Sequence, residues 1–539
     1  MLSRGLKRFR DFLWRRKGLC LLPLAFAVFL LPGPELRPGQ VSPAIIADEP
    51  CPPPVNFEDI ILPEVLWAQA WSFGTWVTEV QFTTLAANEN VYVRYFSKGG
   101  AQRGPFLLYK STVAQESRKF TNIVSTLQGL DPSFSYWGKV GTLVVQKGVA
   151  ADILVSARIR CGNFSKVNWG IKNNAANRAL VGSPILVQNM ESTAEYRSAV
   201  VCFNPTAYTA NVEFRILDPD GNLIGSAFTR TLGAYGFVNF WIFPQAGADY
   251  PAYSYEHACL LISVTSGSGA VVGYGCTSNN FTNDPAAHPI ASAKTSGTTI
   301  TSTSPEPLKI LPEGIWLPAA GLGVWSSDVQ ITDMTGGSQV SCYFDYNGGN
   351  RRDCGLIWTG GGALTSVKYS NILATLQALD PAFTYYGRLG TLVFKTQDSA
   401  HKIHVSARIM EGRNSKIDPG LNVVLPASQK FMYIQDLTNN ASYRSSILLY
   451  NPVASATTAD FWLVDGVGNV IGTSFSKSFV GNDFLSFNPF FEAGVPAGVY
   501  DNVTLKFSSG PVYFLMGYGS TVDNGSNDPS CHALQRLDF

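Results

Sequence analysis

The sequence predicts an all-β protein built by tandem duplication, each copy holding two Ig-like or jelly-roll-like β-sandwich modules and one short crossover helix. Three observations lead there. The stretch Phe120 to Val145, FTNIVSTLQGLDPSFSYWGKVGTLVV, is written again from Tyr369 to Phe394 as YSNILATLQALDPAFTYYGRLGTLVF. Apolar residues elsewhere alternate with period two, as Val212, Phe214 and Ile216 do around Glu213 and Arg215, which marks strands buried on one face. Turn residues are spread evenly between such runs, and Gly, Thr, Ser, Val and aromatics dominate, as in chains of short strands.

In chain order, Arg4, Lys7, Arg8, Arg10, Arg15, Arg16 and Lys17 precede an apolar run from Gly18 to Leu31 broken by Pro23. This is the layout of a signal peptide, and the run is shorter than the ~20 residues of a membrane-crossing helix. Residues 1–47 are therefore read as a signal peptide, or an N-terminal anchor and leader. The expected location is secreted, periplasmic or cell-surface, with membrane contact only through this segment if it is not cleaved.

Beyond it, Ile61-Leu62-Pro63-Glu64 returns as Ile310-Leu311-Pro312-Glu313, 249 positions on, and Trp67 and Trp76 return as Trp316 and Trp325. The offset becomes 250 for Arg158 and Arg408, 247 for Tyr196-Arg197-Ser198 and Tyr443-Arg444-Ser445, and 244 for Gly273-Tyr274-Gly275 and Gly517-Tyr518-Gly519. Drift in small steps places insertions in loops. A weaker repeat inside each copy divides it again. The resulting modules are A1 over 57–171, B1 over 172–285, A2 over 310–423 and B2 over 424–530, with a Ser/Thr/Pro linker over 286–309.

Asp218 to Asn222 and Asp465 to Asn469 offer residues that tolerate positive φ between strand-like runs and predict hairpin turns. The helix is predicted in the repeated stretch itself. Ile123, Val124, Leu127 and Leu130 fall at helical spacing, Thr121 or Asn122 can cap the start, and Pro132 stops it.

Charged residues make up 15% of the chain and the net charge is +1, so no basic field is available to hold nucleic acid. No nucleophile elbow G-x-S-x-G occurs. Of the five histidines, His257, His288, His401, His404 and His532, none is expected to have a counterpart in the other copy. His401 and His404 sit at a spacing that points to opposite faces of a strand. Asp131 and Asp380 recur before Pro at a helix end, where a turn role accounts for them. Arg158/Arg408 and Arg197/Arg444 lie in strands among apolar neighbours. They read as ligand clamps or as internal bonds to carboxylates or loop backbone, the second being favoured.

Trp169 faces Pro419 in the other copy and is the surface aromatic chosen for ligand stacking. The oxygen-rich loop with Asp523, Asn524, Asn527 and Asp528 either holds calcium, the one metal expected, or closes an Asx turn. No other cofactor is expected. Eight cysteines remain after Cys20 of the leader, and no C-x-x-C occurs. Each of the pairs Cys161–Cys202, Cys259–Cys276 and Cys342–Cys354 lies within one copy and is missing from the other, as expected of disulfides. Cys51–Cys531 would then join the ends.

Taken together, Y-R-S-x-(apolar)-x-x-x-N-P, the V-S-A-R strand and G-Y-G-x-T-x-D-N-x-S-N-D-P resemble repeat regions of uncharacterised exported bacterial β-sandwich proteins. The similarity runs over nearly all the chain after Asn56. It implies export and β-sandwiches and carries no activity to named residues. The expected function is non-catalytic, a cell-surface binding, adhesion or structural role toward a protein or glycan. The alternative is a secreted polysaccharide hydrolase whose acid pair is not visible in sequence.

Overall fold

The computed structural model describes residues 59–536 except 71–73, 99, 148–152, 163, 175–176, 282–284, 289–290, 293–307, 320–322, 412–413, 420, 423–430, 496–497, 510–514 and 525–528. The N-terminal segment 1–47, Cys51, most of the linker, Asn527, Asp528 and the side chain of Trp169 thus lie outside the described residues.

Among the described residues strands dominate, and they fall into four groups of nine. The first comprises β1 (Ile60–Ala70), β2 (Gly74–Thr84), β3 (Asn90–Ser97), β4 (Gln102–Lys110), β5 (Ser117–Phe120), β6 (Lys139–Lys147), β7 (Ile153–Cys161), β8 (Phe164–Trp169) and β9 (Ile171–Lys172). Their order is β4-β3-β6-β1-β2-β7-β8, with β5 on β2 and β9 on β1, and every pairing is antiparallel.

The second group repeats that order with β10 (Ile185–Ser192), β11 (Tyr196–Phe203), β12 (Ala210–Leu217), β13 (Leu223–Leu232), β14 (Phe237–Trp241), β15 (Tyr255–Gly267), β16 (Val272–Asn279), β17 (Pro285–His288) and β18 (Ala291–Ser292). So does the third, with β19 (Leu308–Ala319), β20 (Gly323–Asp333), β21 (Gln339–Tyr346), β22 (Asn350–Thr359), β23 (Ser366–Tyr369), β24 (Arg388–Thr396), β25 (Ile403–Glu411), β26 (Asn414–Pro419) and β27 (Leu421–Asn422). The fourth has β28 (Met432–Asn439), β29 (Tyr443–Tyr450), β30 (Thr457–Val464), β31 (Val470–Phe479), β32 (Phe484–Phe487), β33 (Tyr500–Ser509), β34 (Met516–Asp523), β35 (Pro529–Ala533) and β36 (Gln535–Arg536). Strand β17 therefore runs into the segment read as linker, β18 lies within it, and the last group runs past residue 530.

In the fourth group the order splits into two separate sheets, β31-β30-β33-β28-β36 and β32-β29-β34-β35. The other groups join the same two sheets through only four, one and four residue pairs between their first two strands. Each group is thus sandwich-like. The first core draws Leu62, Val91 and Leu143 from one sheet and Val80, Phe82 and Val155 from the other. Period-two burial of β12 puts Val212, Phe214 and Ile216 into such a core.

The predicted helix is α1 (Ile123–Leu130), capped by Asn122, whose side chain accepts from the Ser125 amide at 3.1 Å. Its buried face is Ile123, Val124 and Leu127, laid on β1 and β2. Two four-residue helices were not predicted: α2 (Ile242–Gln245) and α4 (Pro489–Glu492) flank α3 (Ile372–Leu379), whose sequence resembles that of α1. One turn is too short to leave a periodic signal. Both predicted hairpin turns form, with Asp218 and Asp465 accepting from the amides of Asn222 and Asn469 at 2.8 Å.

The groups close on one another. Strand β8 touches β17, β17 touches β26, β26 touches β35, and β35 returns to β8. The first strand of each group also packs on the next: β1 on β11 and β16, β10 on β25, β19 on β29 and β34, and β28 on β7. Glu49–Phe539 accordingly forms a single compact unit.

Candidate functional site

Closure brings the recurring polar residues to the seams between modules. At the seam of module B2 with A1, β28 bulges between Ile434 and Leu437, and Asp436 takes φ 60°. That conformation aims its carboxylate at Lys119 Nζ, 2.9 Å away, and Arg158 Nη2, 3.3 Å away. Glu79 takes the other side of Lys119 at 3.5 Å and pairs with Arg160. Asp436, Arg158 and Glu79 are all buried. Burial alone would raise the Asp436 carboxyl, but Lys119 and Arg158 together hold it well below the usual range.

His532, fully buried, places Nε2 3.4 Å from Arg158 Nη2 and 2.9 Å from Thr521 Oγ1. A guanidinium only donates, so Nε2 must be the accepting nitrogen of a neutral ring. Burial holds this imidazole down to about 3.

At the seam of B1 with A2 the same parts recur with one rearrangement. Asn189, φ 57°, stands where Asp436 stands, so the carboxylate comes from Glu191, 3.1 Å from Arg408 Nη1. Lys368 pairs with Asp328 at 3.0 Å and contacts His257, which burial, Lys368 and Arg408 hold down to about 2. Burial raises the Glu191 carboxyl despite Arg408 and Lys368. Gln188 and Gln435 cross the two seams alike, donating to Thr332 and Thr83 at 2.6 Å.

The Tyr-Arg-Ser motif is explained by the same seams. Tyr196 and Tyr443 lie 4.0 and 6.0 Å from the Arg408 and Arg158 guanidinium carbons. Ser198 and Ser445 bond the Thr277 and Thr521 hydroxyls at 2.8 Å. Arg197 and Arg444, on the opposite strand face, donate to Asn280 and Asn524 at 2.7 and 2.8 Å. Asn280 and Asn524 in turn donate to backbone carbonyls of Ala194 and Ala441. The recurring arginines are thus internal bonds.

Inside each half a third cluster forms. Lys166 Nζ lies 2.6 Å from Glu64, which also accepts from Asn239 at 2.8 Å and from the Tyr274 hydroxyl. Lys416 repeats the bond to Glu313 at 2.6 Å beside Tyr518. Sequence reasoning missed both lysines, although they keep the 250-residue offset of Arg158 and Arg408.

One expectation is overturned outright. His288 and His532 do correspond, since the 244-residue offset of Asp284 and Asp528 continues to them. Both sit on equivalent short strands and bond the equivalent Thr277 and Thr521 at 2.8 and 2.9 Å.

Of the calcium residues, Asp523 ends β34 and lines a shallow recess, partly open to solvent, with Arg158, Arg160, Tyr443, Thr521 and Ser530. Asn524 is spent on Arg444, as above. Among the described residues no three His, Cys, Asp or Glu side chains gather as a metal site. Trp169 ends β8 opposite Ser156.

The disulfide expectations also need correction. Cys202, Cys259, Cys276, Cys342 and Cys354 are free thiols. Cys161 and Cys202 belong to different modules, on β7 and β11. Cys259 and Cys276 lie in opposing sheets of one module and in different apolar clusters. Of the three expected pairs whose members are both described, Cys342 and Cys354 are the one on paired strands. Cys531 is on β35, its expected partner Cys51 being outside the described residues.

Compared with known proteins, the chain matches no family model and no curated sequence at a significant level.

Proposed function

We propose that the chain is an exported, non-catalytic repeat protein, a tandem duplication of paired Ig-like or jelly-roll-like sandwiches, with a binding or structural role at a cell surface. The observation that carries this reading is where the recurring polar residues go. Arg158 and Arg408, Arg197 and Arg444, Lys166 and Lys416, and His288 and His532 all bond within the molecule, the first pair across the seams between modules. A duplicated active site would instead direct its shared acids and bases at a common recess.

What the two halves both display outward is aromatic. Trp67 meets Trp137 edge to face at 4.9 Å, and Trp316 meets Tyr386 likewise at 5.2 Å. Trp137 and Tyr386 are 44% and 47% exposed, leaving ring faces for stacking on sugar rings or partner side chains. Two such sites on a rigid body give avidity when both engage. Glycan-array binding by the full-length protein, lost on Trp137→Ala with Tyr386→Ala while the unfolding midpoint holds, is the expected result. Turnover of a polysaccharide, ester or peptide that Asp523→Ala abolishes without unfolding the protein would refute the reading.

A further inference from the structure

Strands β21 and β22 place Cys342 opposite Gly355 and Tyr343 opposite Asp353, so Cys354 is the extra residue of a bulge. Gly355, at φ 71°, makes that bulge without strain and leaves Cys342 as the cross-strand neighbour of Cys354. Both side chains enter the same core, Cys342 fully buried and Cys354 partly exposed on a strand at the sheet edge. Cys342 Sγ is 3.6 Å from the Tyr343 carbonyl, Cys354 Sγ is 3.3 Å from the Tyr385 hydroxyl, and the two thiols are near enough to shift each other's titration. Two residues of a bulge face one on the partner strand, so Cys354 shares Cys342 with Gly355.

We infer that Cys342 and Cys354 are a dithiol couple that exchanges reversibly with low-molecular-weight disulfides, Cys354 attacking and Cys342 resolving. The roles follow from access and from the surroundings. Cys354 is the one an external disulfide reaches, and its hydrogen bonds from Cys342 and then Tyr385 favour the thiolate, holding it below the ordinary thiol range. Burial pushes the Cys342 thiol the other way. In the first step the Cys354 thiolate bonds one sulfur of the external disulfide and expels the other as a thiolate. In the second, Cys342 gives up its proton and attacks Cys354 Sγ, expelling the remaining external thiol. Two protein thiols are oxidised and one external disulfide is reduced to two thiols.

The first half has Val93 and Pro105 at these positions, and there Tyr136 donates to Asp131 at 3.3 Å. In the second half Asp380 is engaged by Arg352, and Tyr385 turns to Cys354 instead. Oxidation would therefore lock the edge strand β22 to β21 and release the Tyr385 hydroxyl, in one module only.

The test uses the full chain in mixtures of oxidised and reduced glutathione, quenched by alkylation and mapped by mass spectrometry. The expected results are a reversible Cys342–Cys354 link in the native protein and one stable glutathione adduct on Cys354 in Cys342→Ser. Cys342→Val, which installs the residue of the first half, should trap the same adduct if Ser disturbs the core. Native protein that stays fully reduced, or adducts that form on Cys342 in Cys354→Ser but not on Cys354 in either Cys342 variant, would overturn the assignment.

Discussion

The seams within each half differ from the seams between halves. Within the first half, Ile61, Phe96 and Val144 of one module meet Val201, Phe203 and Val272 of the next, and the second half repeats this with Ile310, Val393, Leu448 and Tyr450. Between halves the apolar contact shrinks to Leu186, Leu217, Cys259 and Leu261 against Met334 and Leu364 at one seam and to Leu154 and Leu85 with Tyr433 and Phe431 at the other. There the surface is filled by paired charges and amide bonds. Apolar burial is strong and non-directional, whereas buried ion pairs add little net stability but penalise any other register. Two modules therefore make a cohesive half, and two halves are joined by contacts that specify position.

Asp436→Ala should give the largest loss, about 3–5 kcal/mol in urea unfolding, because it strands the buried Arg158 without a carboxylate and leaves Lys119 only the longer bond to Glu79. Glu191→Ala should cost less, since Glu191 pairs with Arg408 where Asp436 holds two cations, and burial raises the Glu191 carboxyl. Equal losses would erase the distinction between the two inter-half seams.

Acid should separate the groups next. His257, held at about 2, and His288 and His532, held at about 3, are neutral in the folded state but protonate in the unfolded chain below about 6.5. Their folded pKa values are depressed, so this stability is complete above pH ~6.5 and is lost as pH falls toward ~3, at up to ~1.4 kcal/mol per pH unit for each ring. Asp436, also depressed, gives way only below the ordinary carboxylate range. Glu191, being raised, has the opposite sign: its contribution is present below the unfolded value and fades as pH rises. Thermal midpoints of the wild type should thus decline from pH 7 to 4, and His532→Gln should flatten that slope by about one proton. An unchanged slope would mean the ring is not held neutral.

The smallest effects belong to the Arg–Asn loop ties. Asn280→Ala and Asn524→Ala should each cost about 1 kcal/mol, equally in both halves, as judged by denaturant midpoints. A marked inequality would break the equivalence of the two loops.

Local features of this fold were readable in the sequence because their causes are local. Alternation in β12, the Asn122 cap and the Asp218 turn all follow from residues within a few positions of one another. The internal bonding of Arg158 and Arg408 was also legible, from charge among apolar neighbours. Their partners were not, since Asp436 lies 317 residues from Lys119, and the equivalent carboxylate has moved from the place of Asn189 to Glu191. Cysteine spacing says nothing about which modules touch, so pairs in separate sheets looked as plausible as Cys342 with Cys354. The matching of His288 with His532 was present in the sequence, hidden by the drift of the offset.

Cleaving the folded full-length protein at a protease site placed between Ser292 and Leu308, the ends of β18 and β19, removes the covalent link between halves and leaves both inter-half seams in place. Native mass spectrometry of the cleaved protein should then detect one non-covalent complex of both fragments, which Asp436→Ala weakens. Separation of the wild-type fragments under native conditions would contradict the closed arrangement of the four modules.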